Sequence, residues 1–529
     1  MSLMKLFSWR GTCSFLIFIF GVLICHYTGN RGIFPLDSFS HYDSGYRILN
    51  GEHPFRDYWI VSGFFIDYVQ SIIFYLLGTN WQVYLLNASI LNGLTALLVY
   101  KLFNKLGLDF KLSFFYAICF AILAYPSSGT PFVDHHSALL SLVAIIFLIL
   151  ALEKNKILYW SLVPIFLFFA FLSKQVPAAY ILLAVIVLIG IHFLHQNKKD
   201  IIKILITLFL TSFFLVISLI IFFKLLDVNL DSFFIQYLFY PNTIGEERYK
   251  NINYDFKNVF LNFKFIYIAL IFLAFVTFKT LKNKNKHFFK SLYFKIFLIN
   301  VLLFLSLAQH VIFTKNQIFI FFLIPLVLGF AHSGLNNLNL NYKKILSSFL
   351  IFLTLATTLK YHIRYNVDRK FHELNNVLFS EAIAAKELNK RFTGLKWITP
   401  NFKNDKNIKS EINFLKKFQE ILLIDKTNKI VLTNFSFFSV ITNSNVSGYS
   451  RWYPGDNSAF PTKESKFFID YKNLIVSIIK KKKIQTIYIL PDIEEKNLVD
   501  YVYPKCFSRK ELESQIIKYE INNKCSALF

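Results

Sequence analysis

Asp37 and Asp43 open a polar stretch that runs from Thr28 to about Asn80 and also holds His41, Arg47, Glu52, Arg56 and Asp57. Carboxylates in such a place can take a proton from a hydroxyl, and cations can hold an anion against them. Further groups of the same kind recur along the chain: Asp134 with His135 and His136, Lys174 with Gln175, Tyr240 with Glu246, Glu247 and Arg248, and His310 with Lys315 and Asn316. His135 and His136 are adjacent, so on a helix they diverge by about 100° and chelate one metal ion poorly together. A divalent metal held by Asp37, Asp43 and His135 is the arrangement these residues leave open.

The elements that must position these groups follow from composition. Of 529 residues, 55% are hydrophobic, 18% aromatic and only 17% charged, with a mean hydropathy of +0.46. A soluble chain of this length carries about 25% charged residues, so an ordinary cytosolic enzyme is excluded. The apolar residues fall in runs near 12–25, 82–100, 111–125, 137–152, 157–173, 177–194, 202–224, 258–278, 293–312, 317–332 and 345–360. Runs of about 20 residues cross the ~30 Å hydrocarbon core, so the pattern predicts an α-helical polytopic membrane protein with about eleven transmembrane helices.

Orientation is read from the basic clusters at 101–105, 153–156, 197–203, 279–290 and 343–344, which fall at every second connection. Lys and Arg concentrate in cytoplasmic loops, so we expect a multi-pass protein of the plasma (inner) membrane with its N-terminus cytoplasmic and its C-terminal domain extracytoplasmic. The first run lacks a small-residue cleavage site and reads as an uncleaved span. The net charge of +25 is then explained by loops and membrane lipids, and no nucleic-acid partner is called for, since no basic helix or RNA-binding signature is present. On this topology the polar groups named above gather on the outer side, where ionisable residues at a membrane mark function.

After residue 362 the chain turns polar. We assign 1–362 to the transmembrane domain and 363–529 to an extracytoplasmic α/β domain, with an amphipathic helix over 371–391, strands at 429–433 and 486–490, and a helix over 463–483 between them. Cys13, Cys25 and Cys119 lie in apolar runs and read as small core residues. Cys506 and Cys525 flank a polar segment and could close a disulfide in an oxidising compartment.

The first polar stretch resembles the glycosyltransferase C superfamily, whose members include protein O-mannosyltransferases and the aminoarabinose transferase of lipid A. The resemblance rests on Asp37 after the first span, Gly51 fourteen residues on, the Pro54-Phe55-Arg56-Asp57 element and the segment 74–78, and it extends through Asp134-His135-His136 and Ser173-Lys174-Gln175. It implies an enzyme that takes a sugar from a polyprenyl-phosphate donor in the outer leaflet and passes it to an acceptor glycan, lipid or protein, usually with inversion. Asp37 takes the place of the general base, with Asp43 beside it. Lys174, Arg56, Arg248 and Lys315 are the candidates for the donor phosphate, and Asp134, His135 and Tyr240 for substrate contacts.

Each residue also has a plainer reading. Asp37 follows Pro35 and could cap a helix. Asp43 and Arg47 are four apart and could simply pair. Asp134 could cap the next span, and Lys174 could reach toward lipid headgroups. Residues 448–454 could stack a sugar or form a packed turn. Two other functions compete: a non-enzymatic flippase for lipid-linked sugars, which would carry ionisable or Gly/Pro-broken residues in mid-membrane, and a surface polysaccharide polymerase or ligase, which would centre on a large late outer loop.

Overall fold

The computed structural model describes residues 9–284, 288–314, 318–375, 377–401, 407–443 and 446–522. The chain forms two compact units: residues 1–29, 88–217 and 251–375 make the first, and residues 30–87, 218–250 and 376–529 the second.

Among the described residues eight helices are long and apolar enough to cross a membrane: Gly11–Gly29, Trp81–Lys105, Val133–Lys154, Gln175–Phe193, Lys198–Leu225, Lys264–Lys282, Leu292–Thr314 and Lys343–His372. Four shorter apolar helices, Phe64–Leu77, Phe110–Leu123, Ile157–Ser173 and Ile320–Asn336, accompany them. Burial sorts these helices. Val133–Lys154 is apolar all round and 83% of its apolar stretch is buried, so it is a central helix; Lys198–Leu225 is the most apolar and only 6% buried, which leaves its side chains for lipid.

Small residues let helices of the first unit approach closely. A Cβ on Gly21 would meet the Gly93 Cα at 2.8 Å, and the Asn92 amide beside it donates to the Gly21 and Ala121 carbonyls at 2.8 and 3.1 Å. Such a contact replaces the hydrophobic driving force that lipid does not supply. The turn before the Val133–Lys154 helix is held in a different way. Arg369 is fully buried and donates to the carbonyls of Pro126, Ser127 and Ser128 at 2.9, 3.2 and 2.8 Å, which satisfies backbone groups that no helix ladder reaches.

In the second unit a five-stranded sheet runs in the order β4-β3-β5-β7-β6, with β3 Lys429–Leu432, β4 Val446–Ser447, β5 Thr486–Ile489, β6 Phe507–Glu511 and β7 Ile517–Ile521. β3 pairs in parallel with β4 and β5, while β7 pairs antiparallel with β5 and β6. The central strands β3 and β5 are buried along their whole length, as strands covered on both faces must be. The crossover helix Phe468–Lys481 turns Tyr471, Ile475, Ile478 and Ile479 inward at helical spacing.

The first polar stretch belongs to this same unit. Gly32 and Ile33 donate to the carbonyls of Lys396 and Ile398 at 3.0 Å each, and Lys396 donates to Asn30 at 2.9 Å. Further on, Trp59 donates to the Tyr449 carbonyl at 2.9 Å. The two strands predicted at 429–433 and 486–490 and the helix between them are present. The helix expected over 371–391 is not. That segment holds the 3₁₀ turns Lys370–His372, Phe379–Glu381, Ala385–Glu387 and Lys390–Phe392, and a strand β1, Ile383–Ala384, paired antiparallel with β2, Lys396–Trp397. Glu373 adopts a left-handed conformation at φ 60°, which no continuous helix permits. Its residues are divided between the units, Phe371 packing in the core of the first and those from 377 on belonging to the second, so their helical spacing marks no single face. Cys13, Cys25 and Cys119 are free and buried; Cys506 is buried too, and Cys525 lies outside the described residues.

Candidate functional site

Asp37 sits on a single helical turn, Pro35–Ser38, that begins with the φ-restricted Pro35. The turn is fixed from both sides. Phe34 N–H donates to Ser38 Oγ at 3.1 Å, and Phe39 inserts its ring among Trp81, Phe392, Trp397 and Phe437, with centroids 4.8–5.9 Å away. The Asp37 carboxylate is thereby carried half-buried on a rigid support, and the residue at the helix N-cap is Phe34, not Asp37.

The next helix, Ser40–Leu49, brings its polar face against the C-terminal part of the unit. Asp43 accepts a short hydrogen bond from Ser439 and lies 3.9 Å from Arg47, the pairing that their spacing allows. Arg47, 3% exposed, holds Glu52 at 2.7 Å, and Glu52 holds Lys482 at 2.6 Å. Burial dominates at Asp43 and raises its carboxyl above the ordinary value, against Arg47 and Ser439, which lower it. Burial also opposes ionisation of Glu52, but Arg47 and Lys482 together outweigh it and lower that carboxyl. One carboxyl is moved toward neutrality and the other is locked as an anion.

Two neighbouring clusters complete the stretch. His41 Nδ1 lies 2.6 Å from Asp67, whose other oxygen is gripped by the fully buried Arg451. Arg451 belongs to the 448–454 segment, which is a packed turn: Tyr449 and Tyr453 are buried in the unit's core. Arg56 pairs with Asp57 at 2.6 Å, and Lys481 reaches the same carboxylate at 3.0 Å.

In the first unit Asp134 lies in the first turn of the Val133–Lys154 helix, where a negative charge suits the helix dipole. Its Oδ1 receives both Lys174 Nζ and His310 Nε2 at 2.6 Å. Lys174 occupies a break between two helices: it ends Ile157–Ser173 and precedes Gln175–Phe193 in an extended conformation, φ −161°, ψ 134°. Pro177 keeps Val176 out of the helical region as well, and Ser137 donates to the Lys174 carbonyl at 3.1 Å. The lysine is 18% exposed and Asp134 and His310 are buried.

The remaining sequence candidates lie elsewhere. His135 is buried, 2.8 Å from Ser127 Oγ and ringed by Phe132, Phe319 and Phe371. Tyr240 is buried against Trp59 and donates its hydroxyl to the Asn457 carbonyl at 2.8 Å. Arg248 is half-buried on the helix Tyr240–Lys250. Lys315 lies outside the described residues. Among the described residues no group of three or more His, Cys, Asp or Glu side chains converges.

Sequence reasoning did not find the roles of Ser439, Arg451 and Lys482. Each is paired with a carboxylate some four hundred residues away, at separations of 396 for Ser439 and Asp43 and 384 for Arg451 and Asp67, and no local pattern encodes such a pairing.

Residues 61–220, which carry Asp67, Asp134 and Lys174, match the family model of the dolichyl-phosphate-mannose-protein mannosyltransferases. The match supports a membrane glycosyltransferase of the C superfamily. Among solved structures, ArnT from Cupriavidus metallidurans in the apo state aligns over 96% of this chain and 97% of its own, with 10% identity and a TM-score of 0.49. The same protein bound to undecaprenyl phosphate aligns over 97% and 98%, with 9% identity and a TM-score of 0.44. No curated protein sequence matches the chain.

Proposed function

We propose that this protein transfers a sugar from a polyprenyl-phosphate donor to an acceptor at the outer face of the plasma membrane, with its N-terminus cytoplasmic. The observation that carries this reading is the match of residues 61–220 to a family that uses a lipid-phosphate-linked sugar. Asp37 acts as the general base. Its carboxylate takes the proton of the acceptor hydroxyl as that oxygen bonds to C1 of the sugar, and the C1–O bond breaks with its electron pair leaving on the lipid phosphate. Asp43 stands six residues on, and burial raises its carboxyl pKa above the ordinary carboxylate value. Lys174 meets the departing phosphate, where a positive charge is worth most as negative charge develops. Arg56 is a weaker candidate because Asp57, the Leu226 carbonyl and the Gly51 carbonyl already occupy its guanidinium.

The test is transfer by purified protein in lipid nanodiscs supplied with a labelled polyprenyl-phosphate sugar and envelope extract as acceptor. Asp37→Asn, which keeps the shape of the side chain, should lower transfer about 10²–10⁴-fold while the protein inserts and accumulates normally. Wild-type transfer by Asp37→Asn removes the base assignment. Translocation of the donor without transfer by the wild-type protein removes the enzyme reading altogether.

A further inference from the structure

A cleft of about 460 Å³ opens in the second unit, lined on one side by Tyr46, Arg47 and Asn50 and on the other by Asn443, Ser447 and Lys482. Its size is that of a small-ligand site. None of the proton-transfer or phosphate roles proposed above uses it.

The charges at its floor are already spent on one another. Arg47 gives Nε to Glu52 at 2.7 Å and Nη2 to the Gly448 carbonyl at 2.7 Å, and its guanidinium lies 3.9 Å from the centre of the Tyr58 ring. Lys482 holds Glu52 at 2.6 Å and Ser447 Oγ at 3.1 Å.

Two side-chain amides that line the opening keep bonding capacity. Asn50 donates its Nδ2 to the Tyr46 carbonyl at 2.7 Å, which leaves its side-chain oxygen as an acceptor. Asn443 accepts at Oδ1 from the Tyr46 hydroxyl at 3.2 Å and from Arg391 at 2.8 Å, which leaves its amide nitrogen as a donor. Both asparagines are exposed, and the Tyr46 ring stands at the same wall. An acceptor and a donor on either side of an aromatic ring match a ligand whose groups both give and receive hydrogen bonds and whose carbon skeleton presents an apolar face. Sugar hydroxyls on a pyranose ring meet that description; an aliphatic chain does not.

We propose that this cleft binds a sugar ring of the acceptor, so that the acceptor is a glycan or a glycolipid. The assignment to the acceptor rests on the glycosyltransferase reading; the binding of a saccharide does not.

The experiment uses the full chain in nanodiscs with one cysteine introduced at a time: Asn50→Cys and Asn443→Cys at the cleft, and Lys417→Cys on the exposed side of the helix Ile408–Ile424 as a control. The rate of maleimide labelling is measured with soluble glucose, galactose, mannose, N-acetylglucosamine and their disaccharides, with inorganic phosphate, with a serine-containing peptide, and with a polyprenyl-phosphate mannose. At roughly ten times its Kd, at least one saccharide should slow labelling at both cleft positions about tenfold and leave Lys417→Cys unchanged. The proposal is overturned when no saccharide protects, when phosphate or the peptide protects as well, or when only the lipid-linked sugar does, since the cleft then takes the donor. Labelling needs no turnover. Protection that persists while the wild-type protein transfers no sugar therefore separates failure of the enzyme reading from failure of this one.

Discussion

Lys482 Nζ lies 2.6 Å from Glu52 Oε1, and through Glu52 it is joined to Arg47 at 2.7 Å. A single carboxylate in the first polar stretch thus organises two cations, one from the helix Ser40–Leu49 that precedes it and one from the end of the crossover helix of the sheet. The three form an alternating chain in which removing the middle charge is worse than removing an end.

Glu52→Ala therefore should destabilise the protein more than Lys482→Met. The first variant leaves Arg47, 3% exposed, without its closest carboxylate. Glu52 is 22% exposed, so the cost lies between the ~0–1 kcal/mol of an exposed pair and the ~3–5 kcal/mol of a buried one, about 2 kcal/mol. Thermal unfolding in detergent should show a Tm lowered by roughly 2 °C. Equal Tm values for the two variants would show that Glu52 is not the organising charge.

Asp57 links stability to pH. Burial alone would raise its pKa, but Arg56, the His53 N–H and Lys481 overcome this and bring it down from 3.8 to about 2. A folded-state value below the unfolded one means that the unfolded chain binds more protons in between, so stability rises with pH across that window. The contribution is complete above about pH 4 and disappears as pH falls toward 2. The Tm difference between wild type and Asp57→Asn should accordingly shrink on acidification from pH 6 to pH 3. A constant difference would contradict this.

Lys174 separates a role in donor binding from one in architecture. Its ammonium lies 2.6 Å from Asp134 and is 18% exposed, so it can serve both. As the partner of the donor phosphate, Lys174→Met should raise the donor KM about 10–100-fold, the equivalent of the ~1.5–3 kcal/mol of a charge-assisted hydrogen bond. Lys174→Arg keeps the charge and should recover part of this. A purely structural lysine would lower the Tm in the methionine variant and leave the donor KM where it was.

Local chemistry made some of this legible in the linear chain. Apolar runs long enough for a bilayer mark the membrane helices because hydrocarbon tolerates no unsatisfied backbone, and the alternation of β3, the Phe468–Lys481 helix and β5 follows from strand and helix periods. The pairing of Asp43 with Arg47 follows from four residues on one helix. The break at Lys174 has its local cause in Pro177.

The tertiary structure decided which charges meet. Asp134 could be read as a cap because its neighbours in sequence are a valine and two histidines; its partners, Lys174 in the break between two helices and His310 on another helix, lie 40 and 176 residues away. The segment 371–391 carries a helical apolar pattern, yet it is divided between the two units and takes up turns and a strand. Periodicity reports only that residues want burial, and the chain alone does not say against what. The sequence by itself determined that this protein lives in a membrane and where its scarce charges are. Only folding decided that Glu52 meets both Arg47 and Lys482 beside an amide-lined cleft, because ion pairs form between groups that are near in space and a linear sequence does not contain that distance.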